Sequence, residues 1–152
     1  MAALKAAEGL SGRRMDSAPI EIEIRYQDGV SFEATARGHR VVSDQPPDNG
    51  GADSGMTPPE LLLASLGTCT AYYALEYLTA RGLPSGGLKA RVAAEKVRPP
   101  ARLGRFRIEL TVPELDAQHR EGVLRAAKAC LIHRTLTHEP EIELVLTAPL
   151  TA

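Results

Sequence analysis

Two cysteines, Cys69 and Cys130, are the only thiols in this 152-residue chain. Cys69 lies in the apolar run Leu-Leu-Leu-Ala-Ser-Leu-Gly-Thr-Cys-Thr, and Cys130 in Ala-Cys-Leu-Ile-His-Arg-Thr-Leu. Helical spacing puts each on an inward face, Cys130 alongside Val123 and Ala127. Free cysteine is among the most buried residue types and packs as a small hydrophobe, so inert filling is the bland reading. The sharp reading is a redox couple. One thiolate attacks a peroxide O–O bond and becomes a sulfenic acid, and the second thiol condenses with it to a disulfide that blocks over-oxidation. A third reading is a metal site, with Cys69, Cys130 and His133 as three soft ligands. His39, His119 and His138 read as surface residues, and His133 as a satisfied polar group near a helix end.

Peroxide chemistry needs a thiol of lowered pKa, which a nearby cation, dipole or hydrogen bond supplies. Arg25, Arg37 and Arg40, in the N-terminal strand region, are the candidate cations. Glu60 can orient such an arginine through a bidentate pair.

Positioning these groups requires several elements. Residues 20–26 alternate apolar and polar as a half-buried strand does. Asp28-Gly29 signals a hairpin turn, 30–36 returns as a second strand, and 39–42 is a short third. Residues 43–56 hold Pro46, Pro47, Asn49, Gly50, Gly51 and Gly55 and read as a long loop of the kind that often carries function. Thr57 then starts a helix as N-cap, with Pro58 in the first turn and Glu60 completing a capping box. From Leu61 to Ala80 the only charge is Glu76. Leu62, Leu66, Cys69, Tyr73 and Tyr77 form one stripe, and Ala64, Thr68, Ala71, Leu75 and Leu78 another. A helix apolar nearly all round must be covered nearly all round, by a sheet on one side and a second subunit on the other. Two long strands follow, 88–97 and 106–112. A helix from Asp116 to about Leu131 comes next, weakened by Gly122, and a last strand at 141–146.

Composition sets the frame. Apolar residues at 43% and charged residues at 24% fit one globular domain over 19–152, with 1–18 as a flexible tail. A net charge of −1 gives no electrostatic case for nucleic acid or an anionic membrane, and with no Trp there is little to stack bases on. The N-terminal segment lacks a signal-peptide h-region, and the capped helix argues against a membrane span. Two cysteines make no disulfide framework, so the expected location is the reducing cytoplasm, where a disulfide is transient and catalytic.

Three stretches together resemble the OsmC/Ohr family: Gly50-Gly51 with the helix from Thr57 through Cys69 to Leu83; Cys130-Leu-Ile-His133-Arg-Thr-Leu136; and Pro140-Glu-Ile-Glu. The resemblance covers roughly 20–148. It implies an α+β fold, with antiparallel sheets around a long central helix, in an intertwined homodimer with active sites at the interface. It also implies a thiol peroxidase of oxidative-stress defence that reduces organic hydroperoxides. Cys69 would be the peroxidatic thiol and Cys130 the resolving one, with no metal or bound cofactor and electrons from an external, often lipoyl-type, dithiol. One position departs from the pattern. Peroxidase members carry a glutamate directly after the proline at the helix start, where it holds the catalytic arginine. Here Pro59 takes that place, and Glu60 follows one position later, about 100° around the helix. Arg40 is the candidate arginine, with Arg37 and Arg25 open beside it. The departure leaves a second function in view: a non-peroxidatic small-molecule-binding or redox-sensing module on the same scaffold.

Overall fold

A computed structural model describes residues 18–148 of the protein. The expected tail, up to residue 17, lies outside the described residues. The chain divides into two compact units, 1–55 and 56–152, each described by itself.

In the first unit, β1 (Glu23–Asp28), β2 (Ser31–Ala36) and β3 (His39–Ser43) form an antiparallel sheet in the order β1-β2-β3. A hairpin turn forms one residue later than the sequence predicts, at Gly29-Val30, with Asp28 ending β1 opposite Ser31 and its carboxylate accepting from the Gly29 N–H at 2.9 Å. The alternation of Ile20, Ile22 and Ile24 starts before the ladder does. Pairing begins at Glu23, opposite Thr35, and leaves Ile20 and Ile22 exposed. Arg37 sits in the β2–β3 turn with a left-handed φ of 50°, a conformation that suits a two-residue hairpin turn.

The long loop after β3 is tied down by Asp44, which is only 2% exposed. Its carboxylate accepts hydrogen bonds from the backbone N–H groups of Gln45 (2.8 Å), Ala52 (3.1 Å) and Ser54 (3.0 Å) and from the Ser54 hydroxyl (2.8 Å). Gly51 is required here, because a Cβ would run into the Gln45 carbonyl. The Ser54 hydrogen bonds lead in favouring the charged carboxylate and hold its pKa down at about 2, against an ordinary 3.8. A carboxylate depressed on folding stabilises the fold above its unfolded pKa, and that contribution is lost as pH falls. The loop should therefore hold at pH 5 and loosen between about pH 4 and pH 2, and Asp44→Asn should loosen it at neutral pH. Amide exchange at Ala52 and Ser54 measures both effects.

In the second unit, α1 (Pro58–Thr79) packs on a two-stranded sheet of β4 (Lys89–Val97) and β5 (Arg102–Thr111) and on two short helices, α2 (Arg120–Lys128) and α3 (Leu131–Thr137). The buried line of α1 is Leu66, Thr70, Ala74 and Leu78, with Gly67 beside it. It runs one position on from the stripe through Cys69 and Tyr73. Away from that line Leu62, Tyr72 and Leu75 are exposed. Ala74, Leu78 and Val123 form the buried core, against which Tyr77, Leu83, Leu88, Leu110, Val112 and Leu115 pack.

Three expectations need correction. β5 begins at Arg102 rather than at 106, so the β4–β5 connection is shorter than the sequence suggests. The single helix from Asp116 to Leu131 is three pieces: a 3-10 turn at Ala117–His119, then α2, then a break at Ala129 and Cys130 before α3. Residues 141–146 form no strand within the chain, because no edge pairs with them; Ile142, Leu144 and Leu146 are 84%, 97% and 91% exposed.

Gly122, which costs α2 intrinsic helicity, has a packing reason. A Cβ there would overlap the Tyr77 ring. That ring holds α1 to the start of α2 through its hydroxyl, 3.2 Å from His119 Nδ1, and carries the Arg81 guanidinium 3.8 Å above its centre. His119 is thus half-buried and bonded rather than a plain surface residue. Gly122→Ala should destabilise the protein by about 1–3 kcal/mol despite the better helix propensity of alanine, measured by urea unfolding.

Candidate functional site

The two cysteines come together inside the second unit. Cys69 projects from the middle of α1, and Cys130 occupies the break between α2 and α3. Cys130 is therefore not on a helical face. Its backbone is extended (φ −52°, ψ 133°), and it is the N-cap of α3, with Sγ accepting the His133 N–H at 3.4 Å. This capping bond is the local reason the helix breaks. Cys130 is fully buried, Cys69 only partly so, and both are free thiols.

Each thiol perturbs the other, and their environments push their pKa values in opposite directions. Burial raises the pKa of Cys69, and donating its hydrogen bond to Cys130 raises it further, against smaller help from the Ile132 and Leu131 amides. Burial also opposes ionisation of Cys130. The hydrogen bonds from Cys69, the His133 N–H, the Thr70 hydroxyl and the Ile132 N–H together outweigh it, and its pKa falls. Thr70, 3% exposed and bonded to the Leu66 carbonyl at 2.7 Å, is a site residue that sequence reasoning missed. Its place directly after Cys69 in an apolar helix was the available signal.

Three of the other predicted residues, Glu60, Arg40 and Arg25, have partners of their own. Glu60 is engaged in the capping box, accepting from the Thr57 N–H at 2.7 Å and the Thr57 hydroxyl at 2.8 Å. Those bonds lower its pKa. In the first unit, Arg40 is ion-paired with Glu33, its Nε donating at 2.8 Å, and Arg25 with Glu23 at 3.0 Å. Glu33 is the mostly buried member of its pair and was not singled out by the sequence.

His133 departs from expectation. Its Nδ1 is buried with no hydrogen-bond partner. Among the described residues, no three His, Cys, Asp or Glu side chains are grouped to hold a metal ion, the trio of Cys69, Cys130 and His133 included. A groove of about 320 Å³ runs between α1 and β4, floored by Gly67, Ala71, Ala90 and Val92, and neither cysteine lines it. No described helix is long and apolar enough to cross a membrane.

The chain is similar in fold to several solved structures. A candidate osmotic-stress-induced and detoxification-response protein from Psychrobacter arcticus 273-4 aligns with TM-score 0.71 and 21% identity over 80% of this chain and 90% of that one. An OsmC-like protein from Mycoplasma pneumoniae aligns with TM-score 0.66 and 20% identity over 82% and 91%. An organic hydroperoxide resistance protein from Elizabethkingia anophelis aligns with TM-score 0.58 and 16% identity over 82% and 93%. No curated protein sequence matches the chain. Residues 50–145, which include both cysteines, match the family model described as OsmC-like protein, and the chain belongs to that family.

Proposed function

We propose that this protein is a cysteine-based peroxidase that reduces organic hydroperoxides, with Cys69 as the attacking sulfur and Cys130 as the resolving one. The observation that carries the proposal is the placement of Cys69 on α1 and of Cys130 at the α2–α3 break, on elements that pack together and near enough for each thiol to shift the other's pKa. A pair so placed is a candidate for disulfide closure. The Cys69 thiolate attacks the peroxide, the O–O bond breaks, and the alcohol leaves with a proton as Cys69 becomes a sulfenic acid. The Cys130 thiolate then attacks the Cys69 sulfur, and water leaves. An external dithiol, of lipoyl type by the family resemblance, returns both thiols and is itself oxidised to a disulfide. Oxidative-stress defence in the cytoplasm is the setting this chemistry fits, and no bound cofactor is required.

The working form in this proposal is a homodimer. Its support is the apolar surface left open: Leu62, Tyr72 and Leu75 on α1, Ile20 and Ile22 before β1, and the unpaired Ile142, Leu144 and Leu146. Sedimentation at micromolar concentration should give twice the chain mass.

Cys69 needs a cation to offset its raised pKa. We assign that role to Arg40, whose guanidinium is oriented by the mostly buried Glu33. Arg40→Ala should shift the midpoint of Cys69 alkylation to higher pH by a unit or so, about tenfold in thiolate fraction near neutrality. Thiol alkylation followed from pH 6 to 10 checks it.

Specific observations favour a second reading. Glu60 is committed to the helix cap, and the Cys69 pKa is raised. A non-peroxidatic binding or redox-sensing module would share both features. Steady-state turnover of cumene hydroperoxide with dihydrolipoamide separates the two. Sustained consumption of the dithiol supports the peroxidase; thermal stabilisation by ligand without turnover supports the module.

A further inference from the structure

We infer that the reducing dithiol attacks the Cys69 sulfur of the oxidised protein, and that Cys130 is the sulfur that leaves. The inference rests on the cysteines being a redox couple. It adds which end of their disulfide the electron donor must reach, and hence which sulfur carries the mixed disulfide.

Thiol–disulfide exchange is a displacement along the line of three sulfurs, so access and leaving-group stability choose the sulfur attacked. Access favours Cys69. Cys130 is 0% exposed, covered at the α2–α3 break, whereas Cys69 on α1 retains open surface. Leaving-group stability favours the same outcome. Burial opposes charge on either sulfur, but charge arriving on Cys130 also meets the His133 N–H, already 3.4 Å from its Sγ as the cap of α3. A sulfur that is hard to reach and easy to leave is the outgoing one.

One donor thiolate forms a bond to Cys69 Sγ, the Cys69–Cys130 bond breaks, and its electron pair stays on Cys130. The second donor thiolate attacks the donor sulfur of the mixed disulfide, and that electron pair passes to Cys69. The donor leaves as a disulfide. The two protons its thiols lost go to Cys69 and Cys130.

The test uses the wild-type protein. Diamide closes the disulfide without any peroxide, so the step does not depend on peroxidase activity. The oxidised protein is mixed briefly with excess cysteamine, quenched in acid, alkylated with iodoacetamide and mapped by peptide mass spectrometry. The expected result is cysteamine on Cys69 and the alkyl group on Cys130, in at least a tenfold excess over the reverse. Cysteamine on Cys130 overturns the inference. A protein inert to hydroperoxide that still gives the Cys69 adduct ends the peroxidase reading and upholds this one. Failure of diamide to join the thiols ends both.

Discussion

Cys69→Ser removes hydroperoxide reduction: kcat/KM falls by more than about a thousandfold, to the rate of dithiol and hydroperoxide alone. Serine keeps the volume of the side chain but supplies no thiolate, and Cys130 cannot substitute because it is fully buried. Cys130→Ser behaves differently. The first O–O cleavage proceeds, the sulfenic acid on Cys69 persists, and repeated exposure drives it to the sulfinic state. A single-turnover assay read as alcohol released per chain distinguishes the variants, with none for Cys69→Ser and about one equivalent for Cys130→Ser. Both should remain folded, since neither substitution changes volume much, and unfolding curves beside the assay verify it.

Leu78→Ala has the largest effect expected on stability, a loss of about 2–5 kcal/mol. Leu78 is 0% exposed and packs with Ala74 and Val123 where α1, α2, Leu110 of β5 and Val112 just after it meet. Truncation leaves a cavity lined by Tyr77, Leu83 and Leu115, on elements too constrained to close over it. That loss is a large fraction of the stability of an ordinary domain. Urea unfolding should show a lower midpoint with an unchanged slope. Leu75→Ala, one turn away on the exposed side of α1, should cost much less in the isolated chain. Its effect should appear in the concentration dependence of unfolding instead, because the proposed partner subunit covers that side.

The α+β architecture with antiparallel sheets was legible in the sequence because its signals are local. The alternation in β4 and β5, the turn signal at Asp28-Gly29 and the Thr57–Glu60 box each involve residues a few positions apart, and each element forms, with β5 starting at Arg102 and the turn at Gly29-Val30. The family was legible for a similar reason, since the cysteine segments are short and distinctive. What misled were long-range effects. Period alone placed Cys130 on a helix face, but the Sγ bond to the His133 N–H makes it a cap, and the helix breaks there. Gly122 read as a weakness until Tyr77, 45 positions earlier in the sequence, was seen to need its space. Residues 141–146 alternate as a strand should, yet pairing depends on docking to an edge, and they pair with no described strand. Glu60 shows the competition most directly. One carboxylate was read both as a cap and as an arginine holder, and the cap engages it. Glu33, which does hold an arginine, sits mid-strand in a pattern that looks like ordinary alternation.

Mass spectrometry of the reduced protein after one equivalent of cumene hydroperoxide tests the central claim most directly, on wild type and Cys130→Ser with dimedone present. The account predicts an intramolecular Cys69–Cys130 disulfide in wild type and a dimedone adduct on Cys69 in the variant. Two intact thiols in wild type after prolonged exposure, or an adduct confined to Cys130 in a Cys69→Ser control, would contradict it.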